Sequence, residues 1–260
     1  MIAMEDNKLV EYIEEIGEFF NTGKKTNMKN FLLKRLDQSF LNIEEVYLKF
    51  NKKNPESLPK GSEWLLDNFY MLELVYKEAR ANILKEEKIV LSIIETGPYD
   101  NYPLIYVLGL ELINYSTGNI TEDNIIEFIN EFQNWGILSL EEVSSISTML
   151  ILGLLEYIRT IATRIYLIDE TWEKIESIYL ENQNLDNILE NIHKMSFTEI
   201  ESIVRRIRKE REDFQIILEK IDDKLKYIDT SIKEVLEKEY MLQSKYKVSL
   251  GYGIRSLRSI

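Results

Sequence analysis

Apolar residues recur at helical spacing along most of the chain. In residues 62–84 they follow at intervals of three and four: Leu65, Phe69, Leu72, Tyr76, Ala79 and Ile83. This spacing places side chains on one face of an α-helix. Residues 154–250 contain neither glycine nor proline, whereas strands would need turn residues at short intervals. The pattern therefore predicts an all-α fold.

We predict a multi-helix bundle of about ten helices, largely antiparallel and with no sheet. The predicted helices are 8–21, 27–52, 62–84, 102–115, 121–132, 139–167, 170–181, 185–193, 196–220 and 230–247. The residues that stand where N-caps are expected are Ser62, Thr121, Ser139, Thr171 and Ser196. Ser139 with Glu142, and Ser196 with Glu199, also match the capping box. In that motif each side chain accepts a hydrogen bond from the other residue's backbone N–H.

The helices differ in how their apolar residues are distributed. Helices 62–84 and 139–167 are apolar around much of their circumference, which predicts that they pack together in the centre of the bundle. The later helices are amphipathic and share one apolar stripe: Ile200, Ile203, Val204, Ile207, Phe214, Ile217, Leu218, Ile221 and Leu225. We predict one helical domain over 1–260. The pattern also permits two lobes in it, a central bundle (1–168) and outer amphipathic helices with a basic tail (169–260).

Two residue types that carry much protein chemistry are scarce. There is no cysteine, so disulfides, thiolate zinc sites and a cysteine nucleophile are excluded. The single histidine, His193, leaves carboxylates as the main ligands for any metal. The only Gly-x-Gly, Gly251-Tyr252-Gly253, lacks the third glycine, the lysine and the preceding strand of a phosphate-binding loop. We predict a flexible exit from the last helix there, and assign no catalytic, cofactor-binding or metal-ligating residue.

The charge of the chain is unevenly distributed. Residues 1–204 hold 18 basic and 35 acidic residues (−17), and residues 205–260 hold 14 and 10 (+4), with no acidic residue after Glu239. The acidic majority argues against nucleic-acid binding, which needs a dense basic surface. The basic C-terminal segment fits peripheral contact with anionic lipid or an acidic neighbouring domain, and it equally fits a solvated tail.

The sequence indicates neither an export signal nor a membrane span. The first 18 residues carry six acidic residues in place of the basic start and apolar core of a signal peptide. The most apolar run, 147–155, is far shorter than the roughly 20 residues that a bilayer requires. We therefore predict a buried helix there.

Four passages carry recognisable motifs. The first, 61–70, contains Glu63-Trp64-Leu65-Leu66-Asp67-Asn68. The second, 102–120, runs from Tyr102-Pro103-Leu104-Ile105-Tyr106 to Ser116-Thr117-Gly118-Asn119-Ile120. The third, 139–159, ends with Leu155-Glu156-Tyr157-Ile158-Arg159, and the fourth, 239–258, ends with Ser256-Leu257-Arg258. These four motif passages resemble the N-terminal helical region of the cyclic β-1,2-glucan synthases, membrane-bound glycosyltransferases that carry carbohydrate phosphorylase-like domains further downstream.

The resemblance implies an accessory or scaffold domain of an enzyme that transfers glucosyl units from UDP-glucose to a β-1,2-glucan. The reactive centres of that family lie in later domains, so no cofactor is expected in this chain. The implied partners are the transferase and membrane domains, in cis or as a separate chain, and the glucan. The implied location is cytoplasmic, at the inner face of the plasma membrane. The residues expected to have a structural or interaction role are Glu63, Trp64, Asp67, Asn68, Tyr70, Tyr102, Tyr106, Glu156 and Arg159.

Other interpretations of these residues stay open. Glu63 and Asp67, four apart, fit acid–base work on a glycosidic bond in a stand-alone carbohydrate-active enzyme. They also fit stabilisation by the helix dipole, with Asp67 and Asn68 bound to a neighbouring loop. Glu156 and Arg159 lie in an apolar stretch, and we predict that they pair with each other or with Asp67. Arg159 as a nucleotide-phosphate ligand is the alternative.

The tryptophans and the chain as a whole also have two interpretations each. Trp64, Trp135 and Trp172 fit sugar stacking, but core packing is the simpler prediction, above all for Trp64, because of its helical spacing. For the whole chain, the alternative to a scaffold domain of a synthase is an independent helical protein-interaction or regulatory module.

Overall fold

The computed structural model describes residues 2–17, 20, 22–182, 189–210 and 214–260. Over these residues the fold is a helical bundle with one small sheet, and the prediction of a largely helical bundle is confirmed. The helices are α1 (Ile2–Gly17), α2 (Lys29–Phe50), α3 (Ser62–Lys85), α4 (Leu104–Tyr115), α5 (Glu122–Phe132), α6 (Leu140–Ser144), α7 (Ile146–Asn182), α8 (Phe197–Glu210), α9 (Phe214–Leu225) and α10 (Ile232–Ser259). Short 3₁₀ turns lie at Pro55–Ser57, Gly97–Tyr99, Ile192–Lys194 and Lys226–Ile228.

The prediction that the fold contains no sheet is wrong. Strand β1 (Thr22–Asn27) pairs antiparallel with β2 (Val90–Ile94). The sequence of β2, Val-Leu-Ser-Ile-Ile, is rich in β-branched residues, and it buries Leu91 and Ile94. The sequence of β1 is polar and shows no apolar alternation. Its pairing therefore depends on a partner far away along the chain, which local periodicity does not reveal.

Helix ends follow the predicted caps in part. Ser139 forms the capping box with Glu142, and Ser196 forms the same pair of hydrogen bonds with Glu199. Thr121 caps α5. Thr171 is not a cap, because the predicted helices 139–167 and 170–181 merge into α7, and its hydroxyl donates to the Leu167 carbonyl one turn earlier (2.8 Å).

Three further boundaries differ from the prediction or fall outside the described residues. Of the predicted helix 185–193, residues 185–188 lie outside them, residues 189–191 are helical, and the 3₁₀ turn Ile192–Lys194 follows. The predicted helix 196–220 corresponds to α8 and α9, and residues 211–213 between the two are not described. Helix α10 continues twelve residues beyond the predicted end at 247, as far as Ser259.

Two clusters of buried apolar residues form the interior. The first draws on α1 to α5, α7, α10 and β2, with α7 in contact with α2, α3, α4 and α10. The buried residues of the second cluster are all aliphatic: Leu189, Ile192, Ile200, Ile203, Val204, Ile207, Ile217, Leu218, Ile221, Leu225, Ile232 and Val235. Helix α10 contributes to both, through Val235 in the second cluster and Leu250 and Ile254 in the first. It therefore links the two clusters.

One described stretch, Ile146–Lys174, meets the length and hydropathy criteria for a membrane span. Half of its most apolar 18-residue window is buried inside the fold, at a mean hydropathy of 1.4. The central helix of a bundle meets the same criteria, so this stretch is weak support for a span. Its many contacts with neighbouring helices agree with a central position in the bundle.

Candidate functional site

The first motif passage forms the start of α3, and its carboxylate Glu63 contacts α10. Ser62 does not cap α3 as predicted, because the N-cap is Gly61 in the left-handed region (φ 96°) and the Ser62 hydroxyl donates to the Pro59 carbonyl (2.8 Å). Glu63 accepts a hydrogen bond from the Gly61 N–H (2.8 Å) and lies 2.5 Å from Lys247 Nζ. Burial alone would raise the pKa of Glu63, but these contacts outweigh burial and lower the pKa.

Asp67 and Asn68 are neighbours in very different environments. The buried Asn68 donates from Nδ2 to the Trp64 carbonyl (2.7 Å), and its Oδ1 accepts a hydrogen bond from Arg258 on α10. Asp67 is exposed, and its carboxylate makes no hydrogen bond or ion pair with another described residue. The prediction that both residues bind a neighbouring loop is wrong, because α10 extends far enough to meet Asn68 itself.

Trp64 packs against the glycine-containing part of α10. A Cβ atom on Gly251 would lie 3.4 Å from the Trp64 ring, and the Arg255 guanidinium lies 5.8 Å from the ring centroid. On α10 a Cβ atom on Gly253 would lie 3.2 Å from Ile158 of α7. Both glycines are helical and permit close packing of α10. The predicted flexible exit at this point is therefore wrong.

The second motif passage contacts the fourth at the turn after α4. Gly118 adopts a φ of 84° in this turn. The Ser256 hydroxyl of α10 donates to the Gly118 carbonyl (2.8 Å) and accepts from the Ile120 N–H (2.9 Å). Tyr157 of the third motif passage packs on the same turn, since a Cβ atom on Gly118 would lie 2.6 Å from its ring. Three of the four motif passages therefore meet at Gly118.

Glu156 of α7 lies in a polar cluster between α2 and α4. One carboxylate oxygen accepts a hydrogen bond from Arg35 and lies 3.5 Å from Arg159 Nη2, and the other accepts from the Tyr106 hydroxyl. The predicted Glu156–Arg159 pair is confirmed, and Asp67 takes no part in it. Arg35 is a further partner, which no local pattern indicated. We call these four residues, Arg35, Tyr106, Glu156 and Arg159, the Glu156 cluster.

Burial and contacts within the Glu156 cluster shift the pKa values of Tyr106 and Arg35. Tyr106 is fully buried, and burial together with the Glu156 charge raises its pKa. Burial alone would lower the pKa of Arg35, but its contacts with Tyr106 and Glu156 outweigh burial and raise the pKa. Tyr102 packs edge-on against Phe31, with 5.0 Å between ring centroids, and Arg35 lies 5.5 Å over the Tyr102 ring. Arg35 is therefore a cation and Tyr106 a neutral phenol.

A further buried carboxylate, Glu111 on α4, was not predicted to have a role. Its two oxygens lie 2.5 Å from the hydroxyls of Tyr12 and Tyr99, and the residue is 8% exposed. Burial and the Glu111 contact raise the pKa of both tyrosines. A signal was available in the sequence, because Glu111 is the only charged residue in the apolar helix α4. An isolated charge in such a helix indicates buried partners.

The exposed aromatic residues show which motif positions face outward. Tyr70 of the first motif passage is 69% exposed. Trp172 is buried, and its Nε1 donates to Glu201 (3.0 Å), whereas Trp135 is 51% exposed. The prediction of core packing is confirmed for Trp172, and the half-buried Trp64 packs against α10 as described above. For Trp135 the prediction is wrong.

Glu63 and Asp67 do not form an acid–base pair in a cleft. Glu63 is bound by a lysine, Asp67 is exposed, and the nearby rings of Phe69 and Tyr76 stack on aromatic residues of α2. Within the described part of the chain, no group of three or more histidine, aspartate and glutamate residues could hold a metal ion. The arrangement of the motif residues is therefore that of contacts between helices.

No protein-family model matches the chain, and no curated protein matches it. The fold and its polar contacts define the class, a predominantly helical bundle whose motif residues join distant helices. The resemblance to the cyclic β-1,2-glucan synthases stays a prediction.

Proposed function

We propose that this protein is a non-catalytic helical scaffold domain of a β-1,2-glucan synthase system. The observation that supports the proposal most is that the four motif passages contact one another. Passages one and four meet through Glu63–Lys247 and Asn68–Arg258, and passages two and four meet at Gly118. Passages two and three meet at Glu156. Motif residues that hold distant helices together are expected in a scaffold domain.

The proposal gives the chain docking and positioning roles and leaves glucosyl transfer to its partners. Those partners are the transferase and membrane domains, joined in cis or present as a separate chain, with UDP-glucose as the donor used by the transferase. The location that follows is the cytoplasmic face of the plasma membrane. Contact with lipid through the basic C-terminal segment has less support than contact with the transferase. Three of its cations, Lys247, Arg255 and Arg258, already contact residues of α3.

Tyr70 is the motif residue that best marks the docking face. It belongs to the first motif passage, yet it is 69% exposed, and its hydroxyl makes no hydrogen bond to another residue in the described ranges. Exposed aromatic residues contribute strongly to protein interfaces when a partner buries them. We therefore place the contact with the transferase on the side of α3 that presents Tyr70.

The test combines an activity assay with a binding assay. The purified 260-residue chain is incubated with UDP-glucose, and is then mixed with a detergent-solubilised β-1,2-glucan synthase that lacks its own N-terminal helical region. We expect no UDP release by the chain alone and co-elution with the truncated synthase on size-exclusion chromatography. Tyr70→Ala should weaken co-elution, whereas Tyr227→Ala, at a residue 84% exposed outside the motif passages, should not.

Two results would contradict the proposal. Turnover of UDP-glucose by the chain alone would refute its non-catalytic role. Failure of the folded chain to bind the truncated synthase would refute the docking role and would favour an independent interaction or regulatory module.

A further inference from the structure

A polar cavity of 290 Å³ opens between α2 and α7, beside the Glu156 cluster. Its lining is almost entirely polar: Arg35, Gln38, Ser39, Leu41, Asn42, Glu156 and Arg159. Gln38 and Asn42 are exposed, so the cavity is open to solvent on the α2 side. The proposed scaffold function does not use this cavity.

The charges in the cavity do not balance. Arg35 and Arg159 are two cations that share one carboxylate, Glu156. Both oxygens of Glu156 already accept hydrogen bonds, one from Arg35 and the other from Tyr106. The cavity therefore carries one positive charge that its own lining leaves uncompensated.

Hydrogen-bond donors are also in excess. A guanidinium group has five N–H donors, yet that of Arg159 makes a single contact with another described residue, 3.5 Å long. The Nε of Arg35 is buried and has no partner within the described part of the chain. The Arg159 side chain is 30% exposed, so an incoming molecule can reach it. A ligand that carries negative charge and accepts hydrogen bonds would supply the missing counter-charge and partners for the donors of Arg159.

We propose that this cavity binds a small oxyanion with hydroxyl groups, of the class that comprises sugar phosphates and sugar carboxylates. Guanidinium groups match the geometry of phosphate and carboxylate oxygens. The side-chain amides of Gln38 and Asn42 offer both donors and acceptors for hydroxyl groups. This inference does not depend on the proposed scaffold function, because the cavity is lined by α2 and α7 without Tyr70, and its ligand is a small molecule instead of a protein partner.

The test is isothermal titration of the 260-residue chain at low ionic strength with four probes: glucose 1-phosphate, glucuronate, inorganic phosphate and glucose. We expect the two sugar anions to bind with dissociation constants in the millimolar range or below, inorganic phosphate to bind more weakly than glucose 1-phosphate, and glucose not to bind. The difference between glucose 1-phosphate and glucuronate shows which oxyanion the cavity prefers.

Arg159→Gln should weaken binding of the sugar anions about tenfold or more, the effect of losing one charge-assisted hydrogen bond. Arg159→Lys keeps the charge but loses the planar guanidinium. Its affinity for the sugar anions should therefore lie between that of Arg159→Gln and that of the unchanged protein. The matched control is Arg164→Gln, on the same helix but outside the cavity and exposed. Circular dichroism verifies that each variant is folded.

Absence of binding by both sugar anions would overturn the proposal. Unchanged binding in a folded Arg159→Gln variant, or an equal loss in Arg164→Gln, would also overturn it. Equal binding of inorganic phosphate and glucose 1-phosphate would overturn the role assigned to the hydroxyl groups.

Discussion

Two glutamates of the motif passages, Glu63 and Glu156, each pair with a cation from a distant helix, but in different surroundings. The side chains of Glu63 and Lys247 are 47% and 45% exposed, so water competes for both charges. The side chains of Glu156 and Arg35 are 14% and 27% exposed, and Tyr106 binds the same carboxylate. Loss of one partner leaves a solvated charge in the first pair and a largely buried, uncompensated one in the second. Similar motif residues should therefore contribute very differently to stability.

The largest effect is expected for Glu156→Ala. The substitution removes the counter-charge of Arg35 and the acceptor of the buried Tyr106 hydroxyl. We expect the free energy of unfolding to fall by about 3–5 kcal/mol, the range for breaking one side of a buried ion pair. Urea-induced unfolding measures it. Glu170→Ala on the same helix, where the carboxylate binds the Tyr166 hydroxyl at the surface, serves as the control. Equal losses in the two variants would contradict the comparison.

The next largest effect is expected for Gly118→Ala, at the turn where three motif passages meet. Its φ of 84° costs a residue with a Cβ atom about 1–2 kcal/mol, and the Cβ atom would lie only 2.6 Å from the Tyr157 ring. Overpacking of this kind adds about 1–3 kcal/mol. We expect the free energy of unfolding to fall by about 2–5 kcal/mol in a urea titration.

The matched glycine control is Gly109→Ala in the middle of α4. A Cβ atom there would lie 3.7 Å from its nearest neighbours, which is an ordinary contact distance. Because alanine favours helix more than glycine, we expect a change below about 1 kcal/mol in the stabilising direction. A loss at Gly109 as large as that at Gly118 would show that core packing in general, and not the turn, determines the result.

The helices could be predicted from the sequence because their signal is local. Helical periodicity and capping motifs involve residues only a few positions apart, such as Ser139 and Glu142. The Glu156–Arg159 pair, three residues apart, is local in the same sense. Arg35 could not be predicted in the same way, because it lies 121 residues from Glu156 along the chain. Strand β1 was missed for the same reason: its polar sequence becomes a strand only when β2 pairs with it.

The extent of α10 was missed for a different reason. Gly251 and Gly253 indicated a flexible end when considered as isolated helix breakers. In the structure their lack of a side chain lets α10 approach Trp64 and Ile158. The tertiary contacts outweigh the low helix propensity of glycine, which is about 1 kcal/mol per residue. The role of Ser256 and Arg258 in the candidate site depends on that extension.

A smaller effect is expected at Asp67 and Asn68. These neighbours in α3 also compare an exposed polar side chain with a buried one. Asn68→Ala removes the acceptor for Arg258 and should lower the free energy of unfolding by about 1–2 kcal/mol. Asp67→Ala, at an exposed residue, should stay within about 0.5 kcal/mol of the unchanged protein. Chemical denaturation of both variants is the measurement. If the two values agreed, the contact with α10 would contribute nothing to stability.

Apart from the control substitutions, the smallest effect is expected at Glu63, and the pH dependence of that effect distinguishes it from the others. The pKa of Glu63 is lowered in the folded protein, so its contribution is fully present above the ordinary glutamate pKa of about 4.3. The contribution is lost as the pH falls through the lower, folded pKa. Because the pair with Lys247 is exposed and screened by solvent, Glu63→Gln should cost less than about 1 kcal/mol at neutral pH.

The difference between Glu63→Gln and the unchanged protein should therefore be constant near neutral pH and shrink only below about pH 4. Taking the difference cancels the titration of the other carboxylates, which both proteins share. Added salt should reduce it at neutral pH, since exposed charges are screened. The same salt should leave the loss in Glu156→Ala nearly unchanged, because that pair is largely removed from water. A salt-independent cost at Glu63 would contradict the assignment of this effect to the exposed pair with Lys247.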